Sequence, residues 1–233
     1  MVYPCLNAIP VVLFESGNFM KSFSKWTIEE VEETFHLILQ KHHEQLNAWM
    51  KPQISPSETE KQQLMQLSEK LLDHVWDWNE EELKVYVIIP LLNLVNFEQE
   101  NAQPFLSREL SMTYQDEKIT SIVDFVVANG KRSPKRPFFF IHEYKKEHDS
   151  SDDPLGQLMI AMVTAFKLNN DGHPIYGAYI MGRYWHFVVL DENSYAVHTG
   201  LNATNEDRIT IWNVLKNTTQ IIKEWDIGRN NSL

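Results

Sequence analysis

Two carboxylates and an amine interrupt stretches that are otherwise apolar. Residues 137–145 read PFFFIHEYK, so Glu143 and Lys145 close a strand whose first half is hydrophobic. Side chains alternate along a strand, so Glu143 and Lys145 are expected on one face with Phe139 and Ile141, and His142 on the other. Asp124 lies inside residues 119–127 (ITSIVDFVV), a second run rich in β-branched residues. Between the two runs, Asn129-Gly130 and a polar loop make a hairpin, which sets Asp124 beside Glu143. Carboxylates so placed repel one another. A hard divalent cation with oxygen ligands relieves that repulsion, with magnesium the natural ion and manganese able to substitute. Taken alone, Glu143 and Lys145 read equally well as an ion pair at a strand end.

Such strands need elements to position them. Three capping boxes start helices: Thr27 with Glu30, Ser57 with Glu60, and Asn79 with Glu82. Ile28, Val31, Phe35, Ile38, His42, Leu46 and Trp49 recur at helical spacing, which predicts one helix ending before Pro52. Leu64, Leu67, Leu71, Val75 and Trp78 predict a second, and the two together an N-terminal helical hairpin. The third helix carries Leu83, Val87, Leu91 and Leu94, with Pro90 bending or interrupting it. Strands are expected at 105–112, 119–127 and 137–145, then a helix over 155–168 opened by Asp152-Asp153-Pro154. Strands at 175–181, 184–190 and 194–198 and a helix from about 205 to 225 complete the chain. The expected fold class is α/β (α+β), a mixed sheet flanked by helices. Residues 1–78 form a helical extension packed on a core of 79–233, in one compact unit.

With 233 residues, the chain can bury one sizeable core, and no stretch approaches the length of a membrane span. Cys5 is the only cysteine, which excludes an internal disulfide and a cysteine zinc site and fits a reducing, cytoplasmic setting. The net charge of −11 runs against a polyanion ligand, since nucleic-acid binders draw affinity from basic surfaces. The densest basic run is Lys131, Arg132, Lys135 and Arg136, read first as a solvated loop and second as a DNA contact. His42 and His43 read as surface residues, and His148, Asp149, Asp152 and Asp153 as an acidic loop that includes a helix cap. Tyr176, Tyr179, Tyr184 and Trp185 have the chemistry to stack bases, with sheet packing the stronger expectation.

A strand carrying Asp, a hairpin, then Glu-x-Lys on the next strand resembles the PD-(D/E)XK nuclease superfamily; here it is Val123-Asp124 and Glu143-Tyr144-Lys145. The run 79–84 (NEEELK), followed by 88–92 (IIPLL), resembles the helix before this core in the N-terminal nuclease domain of type I restriction enzyme R subunits. The resemblance covers roughly residues 79–181 and implies a restriction-endonuclease-like αβββαβ core. It also implies metal-assisted phosphodiester hydrolysis, with DNA as substrate. Asp124 and Glu143 would hold magnesium, Glu80 would complete the metal shell, Lys145 would orient water or stabilise charge, and Gln157 would face the metal or phosphate. Glu81 and Glu82 read as favouring the helix N-terminus. An alternative is a weakly active or inactive nuclease-fold protein that binds nucleic acid or a protein partner in a regulatory role.

Overall fold

The computed structural model describes residues 20–51, 54–145, 147 and 153–230. Cys5, Pro52, His148, Asp149 and Asp152, each singled out above, lie outside the described residues. In chain order the elements are β1 (Met20–Ser22), a 3-10 turn (Phe23–Lys25), α1 (Ile28–Phe35), β2 (Ile38–Leu39), α2 (Glu44–Trp49) and α3 (Glu58–His74). Then α4 (Glu80–Leu83) runs through a π-helical segment (Lys84–Ile88) into α5 (Ile89–Val95). Three strands follow, β3 (Gln103–Tyr114), β4 (Glu117–Asn129) and β5 (Lys135–Lys145), and then α6 (Pro154–Asn169). The last elements are β6 (Ile175–Met181), β7 (Tyr184–Asp191), β8 (Ser194–Val197), β9 (Leu201–Asn202) and α7 (Asp207–Asn230).

The strands form one mixed sheet in the order β1-β4-β5-β6-β7-β8-β2, with β3 also on β4 and β9 also on β7. β3–β4–β5 is an antiparallel meander, and β5 pairs with β6 in parallel. A parallel neighbour requires a crossover, and α6 supplies it. Asp153 starts α6 by accepting the Gly156 N–H, Pro154 fits its first turn, and Asn170 ends it in the left-handed region. Residues 156–165 of α6 are all buried, the mark of a helix enclosed by protein on every side.

The sheet separates two apolar layers. On one face, Val31 of α1 and Leu158, Met159 and Met162 of α6 pack against Val123, Val126 and Ile141. On the other, α2, α3, α5 and α7 pack against Phe125, Val127, Phe140 and Tyr144. With both faces covered, β5 is buried from Pro137 to Tyr144, as its apolar run requires. Trp49 anchors the second layer: its edge meets Phe140, Tyr176 and Phe187, and its buried N–H donates to Val214 O and Thr218 Oγ1, each at 3.0 Å.

The single helix expected from Ile28 to Trp49 is instead two helices on opposite faces. His36 turns left-handed (φ 55°), and β2 pairs with β8 at the sheet edge, so the chain passes from one layer to the other there. The apolar period carries on through 35–49 because both helices bury apolar residues, but α1 joins the α6 layer and α2 the α7 layer. Among the described residues the expected helical hairpin is therefore absent: α3 shares the α7 layer, and α1 does not. His43 is buried, not on the surface. The segment before residue 79 also supplies β1 and β2, at the two ends of the strand order. Pro90 does interrupt its helix. Lacking an N–H, it cannot continue the ordinary ladder, and the preceding turn widens to a π-helix.

Candidate active site

The β4–β5 hairpin pairs Val127 with Phe140, Val126 with Ile141 and Phe125 with His142. Continued by one residue, this register sets Asp124 opposite Glu143 on the face that carries α6. The regular ladder stops there. β5 leaves β4, whose earlier residues 118–120 pair instead with β1. On the other side of β4 the pairs Leu106↔Phe125 and Arg108↔Val123 skip Ser107, which is left-handed (φ 50°). Asp124 thus occupies a notch where both neighbours loosen. Its Oδ2 accepts the Tyr144 backbone N–H at 3.1 Å, so a side chain satisfies a donor that the ladder no longer serves.

One bulge alters the expected faces. Ala128 pairs with Phe138 and Val127 with Phe140, so Phe139 is an extra residue on β5. The alternation shifts by one, and Phe139 packs with Trp225 in the α7 layer, opposite Ile141. His142 lies on the other face from Glu143, as alternation expects. It is sealed among Phe125, Phe140, Tyr144 and Trp185, and burial lowers its pKa to about 3.

The two carboxylates interact strongly. Glu143 is 6% exposed, and its pKa is raised well above the ordinary carboxyl value. Burial is the largest cause, followed by the negative charge of Asp124; Lys145 opposes the shift, and Glu80 adds to it. Without a cation, Glu143 is therefore held towards its protonated form. Lys145 Nζ lies 3.8 Å from Glu80 Oε2. Glu80 is the first residue of α4, with its place set by Asn79, whose side chain accepts the Glu82 N–H while Glu82 returns a bond to the Asn79 N–H. Of the three neighbouring glutamates, Glu82 caps the helix and Glu80 reaches the strand. Gln157, on the first turns of α6, is 4% exposed, and its Nε2 has no hydrogen-bond partner among the described residues.

Lys84 belongs to this cluster and escapes the sequence reading. It is the first residue of the π-helical segment and is 8% exposed. Its ammonium lies 3.5 Å from Asp124 Oδ1, 3.4 Å from Ser107 Oγ and 3.8 Å from Glu81 Oε1, and 5.7 Å from the centre of the Tyr144 ring. The available signal was a lysine on the apolar face, between Leu83 and Val87, where an unpaired cation is costly.

The basic run at 131–136 has no part here. Lys135 pairs with Asn129, five residues along β4 from Asp124, so it lies about 17 Å from the site at ~3.3 Å per residue. Arg136 instead donates to the Leu168 carbonyl at 3.0 Å, near the C-terminus of α6. Trp185 and Tyr176 are buried in the sheet, while Tyr184 is exposed.

No helix among the described residues is long and apolar enough to cross a membrane. No protein-family model and no curated protein sequence matches the chain. What is established is a mixed α/β fold whose sheet is flanked by helices, with Asp124, Glu143, Lys145, Glu80 and Lys84 converging where β5 parts from β4.

Proposed function

We propose that the chain is a metal-dependent nuclease of the PD-(D/E)XK type that hydrolyses phosphodiester bonds in DNA, on a restriction-endonuclease-like core. The observation that carries this reading is the facing pair Asp124 and Glu143, the glutamate buried and the aspartate close enough to raise its pKa. The order α5-β3-β4-β5-α6-β6, with β5 parallel to β6, agrees with the core that the sequence resemblance implies.

The donors suit a hard cation. Magnesium asks a protein for one or two carboxylates and keeps water and phosphate oxygens in the rest of its shell. Asp124 and Glu143 meet that demand as a pair, although no three His, Cys, Asp or Glu side chains among the described residues form a ready cluster. Glu80 is the third carboxylate of the proposal, near enough to be felt at Glu143. Bound magnesium, or manganese in its place, would supply a water of lowered pKa and draw charge from the phosphate. The Tyr144 N–H fixes one oxygen of Asp124 and so orients the other. Lys145, held near Glu80, donates to the phosphate oxygens as charge develops on them. Gln157 carries an unused donor on the helix that crosses over from β5 to β6.

A magnesium or manganese titration with plasmid and single-stranded DNA tests the reading, with Asp124→Ala and Lys145→Ala as controls. Cleavage that needs the metal and is lost in both variants supports it. Cleavage that survives both variants belongs to a contaminant and leaves the reading without support.

One observation favours the second reading, a nuclease-fold protein that binds or regulates without cutting. The Lys84 ammonium already neutralises Asp124, as a cation would. Metal binding without cleavage is the outcome that selects it.

A further inference from the structure

The row that begins at Asp124 and Glu143 continues across the sheet. Glu143 pairs with Tyr179 on β6, and Tyr179 pairs with His186 on β7. The β7–β9 pair Trp185↔Leu201, extended by one residue, brings Gly200 opposite His186. Paired residues share a face of the sheet, so Asp124, Glu143, Tyr179 and His186 stand in one line on the face that carries α6. Neighbouring strands are about 4.8 Å apart, which puts His186 about 10 Å from Glu143 along that line. α6 covers the adjacent row: Gly177 lies under Met162 and Leu158, where an added Cβ would come within 2.8 Å of Met162 Sδ. Gly177 and Val188 are buried there, whereas Tyr179 and His186 are half-buried. The row is therefore a shelf beside the N-terminal turns of α6.

The Tyr179 and His186 rings stack with centroids 4.5 Å apart and planes 4° from parallel, so their polar edges point away from each other's faces. His186 Nδ1 lies 3.4 Å from the His198 carbonyl, which selects the tautomer with the proton on Nδ1. Gly200 closes on the same ring, since a Cβ there would lie 2.7 Å from His186 Cε1. With the proton on Nδ1, Nε2 is a lone-pair acceptor. The tyrosine hydroxyl can donate a hydrogen bond. His142 makes the contrast: on the opposite face it is walled in by aromatic rings and reaches no ligand.

We propose that Tyr179 and His186 are positioning residues that hold the nucleotide beside the scissile phosphate, the Tyr179 hydroxyl donating to a phosphate oxygen and His186 Nε2 accepting from a base or sugar donor. The proposal rests on the nuclease reading. It assigns substrate binding to β6 and β7, beyond the charged cluster of Asp124, Glu143 and Lys145.

Steady-state cleavage of a short single-stranded DNA oligonucleotide with magnesium tests it, using His186→Ala, His186→Gln and Tyr179→Phe. Loss of one such hydrogen bond raises KM about tenfold in His186→Ala and Tyr179→Phe, with kcat within about twofold. His186→Gln, which keeps an acceptor, recovers most of the loss. Circular dichroism checks folding; if His186→Ala fails to fold, Tyr179→Phe and the KM of His186→Gln relative to wild type decide. Unchanged KM in the folded variants, or a fall in kcat alone, overturns the positioning role while leaving the nuclease reading in place. A wild-type protein without metal-dependent cleavage removes both.

Discussion

Asp124 accepts the backbone N–H of Tyr144 at 3.1 Å, so the residue between Glu143 and Lys145 is tied to the carboxylate on the adjacent strand. The bond links the two strands after their regular pairing has ended. It places three charged side chains around one notch without a loop to carry them. A site built on strands holds its geometry more tightly than one built on loops.

Glu143 imposes a pH dependence on stability in the absence of metal. Its folded pKa is raised, so its contribution is fully present below the unfolded carboxyl pKa and is lost as pH rises towards the folded value. Glu143→Gln carries no such penalty. Its melting temperature should match wild type below the unfolded carboxyl pKa and exceed it increasingly as pH rises from there towards the raised folded value. Adding magnesium should raise the wild-type Tm, by about 2.7 kcal/mol of stability at a hundredfold excess over Kd, and should not raise that of Glu143→Gln. Thermal melts over a pH series, with and without magnesium, check both; a variant no more stable than wild type at alkaline pH would remove the electrostatic argument.

Lys145→Ala separates binding from chemistry. Metal affinity, measured by titration calorimetry, should change little, while kcat should fall about 10²–10³-fold, as when one donor to a developing oxyanion is removed. Lys145→Arg should recover little of this, because a planar, forked guanidinium does not reproduce the compact point charge held 3.8 Å from Glu80 Oε2.

Lys84→Met removes the ammonium that neutralises Asp124. Two effects should follow together. Without metal, the chain should lose stability by about 1–3 kcal/mol in urea denaturation, because the Asp124 carboxylate loses its cation partner. The magnesium affinity should rise, since the ion no longer competes with an ammonium. An unchanged magnesium Kd would show that Lys84 and the metal do not contend for Asp124.

Gln157→Leu tests an amide whose Nε2 is buried and unpartnered among the described residues. Removing an unsatisfied donor costs no hydrogen bond, so folding stability should be unchanged or higher by about 1 kcal/mol. If Gln157 serves the substrate, cleavage should fall at least tenfold in the same variant, a difference of about 1.4 kcal/mol in transition-state stabilisation. Stability lost without an effect on activity would make the residue structural.

Much of the architecture was legible because its signals are local. The boundaries of β6 coincide with those read from its apolar run, and α3, α4 and α6 start at the expected caps. β1, β2 and β9 were not legible: strands of two or three residues carry too few side chains to show a period, and each exists only through its pairing partner. Residues 28–49 misled for the opposite reason, since a continuous helical period does not reveal that two layers receive it.

From its residues alone, the chain specified that Asp124 and Glu143 sit on adjacent strands, because a hairpin and a two-residue alternation are set by near neighbours. The position of Phe139 had to await the bulge, which depends on how two strands settle into register. Only the packed molecule decided that Lys84 meets Asp124, that Tyr179 and His186 extend the same row, and that the basic run lies at the far end of β5. Those relations join residues remote in sequence, and burial of apolar surface from many elements at once is what brings them together.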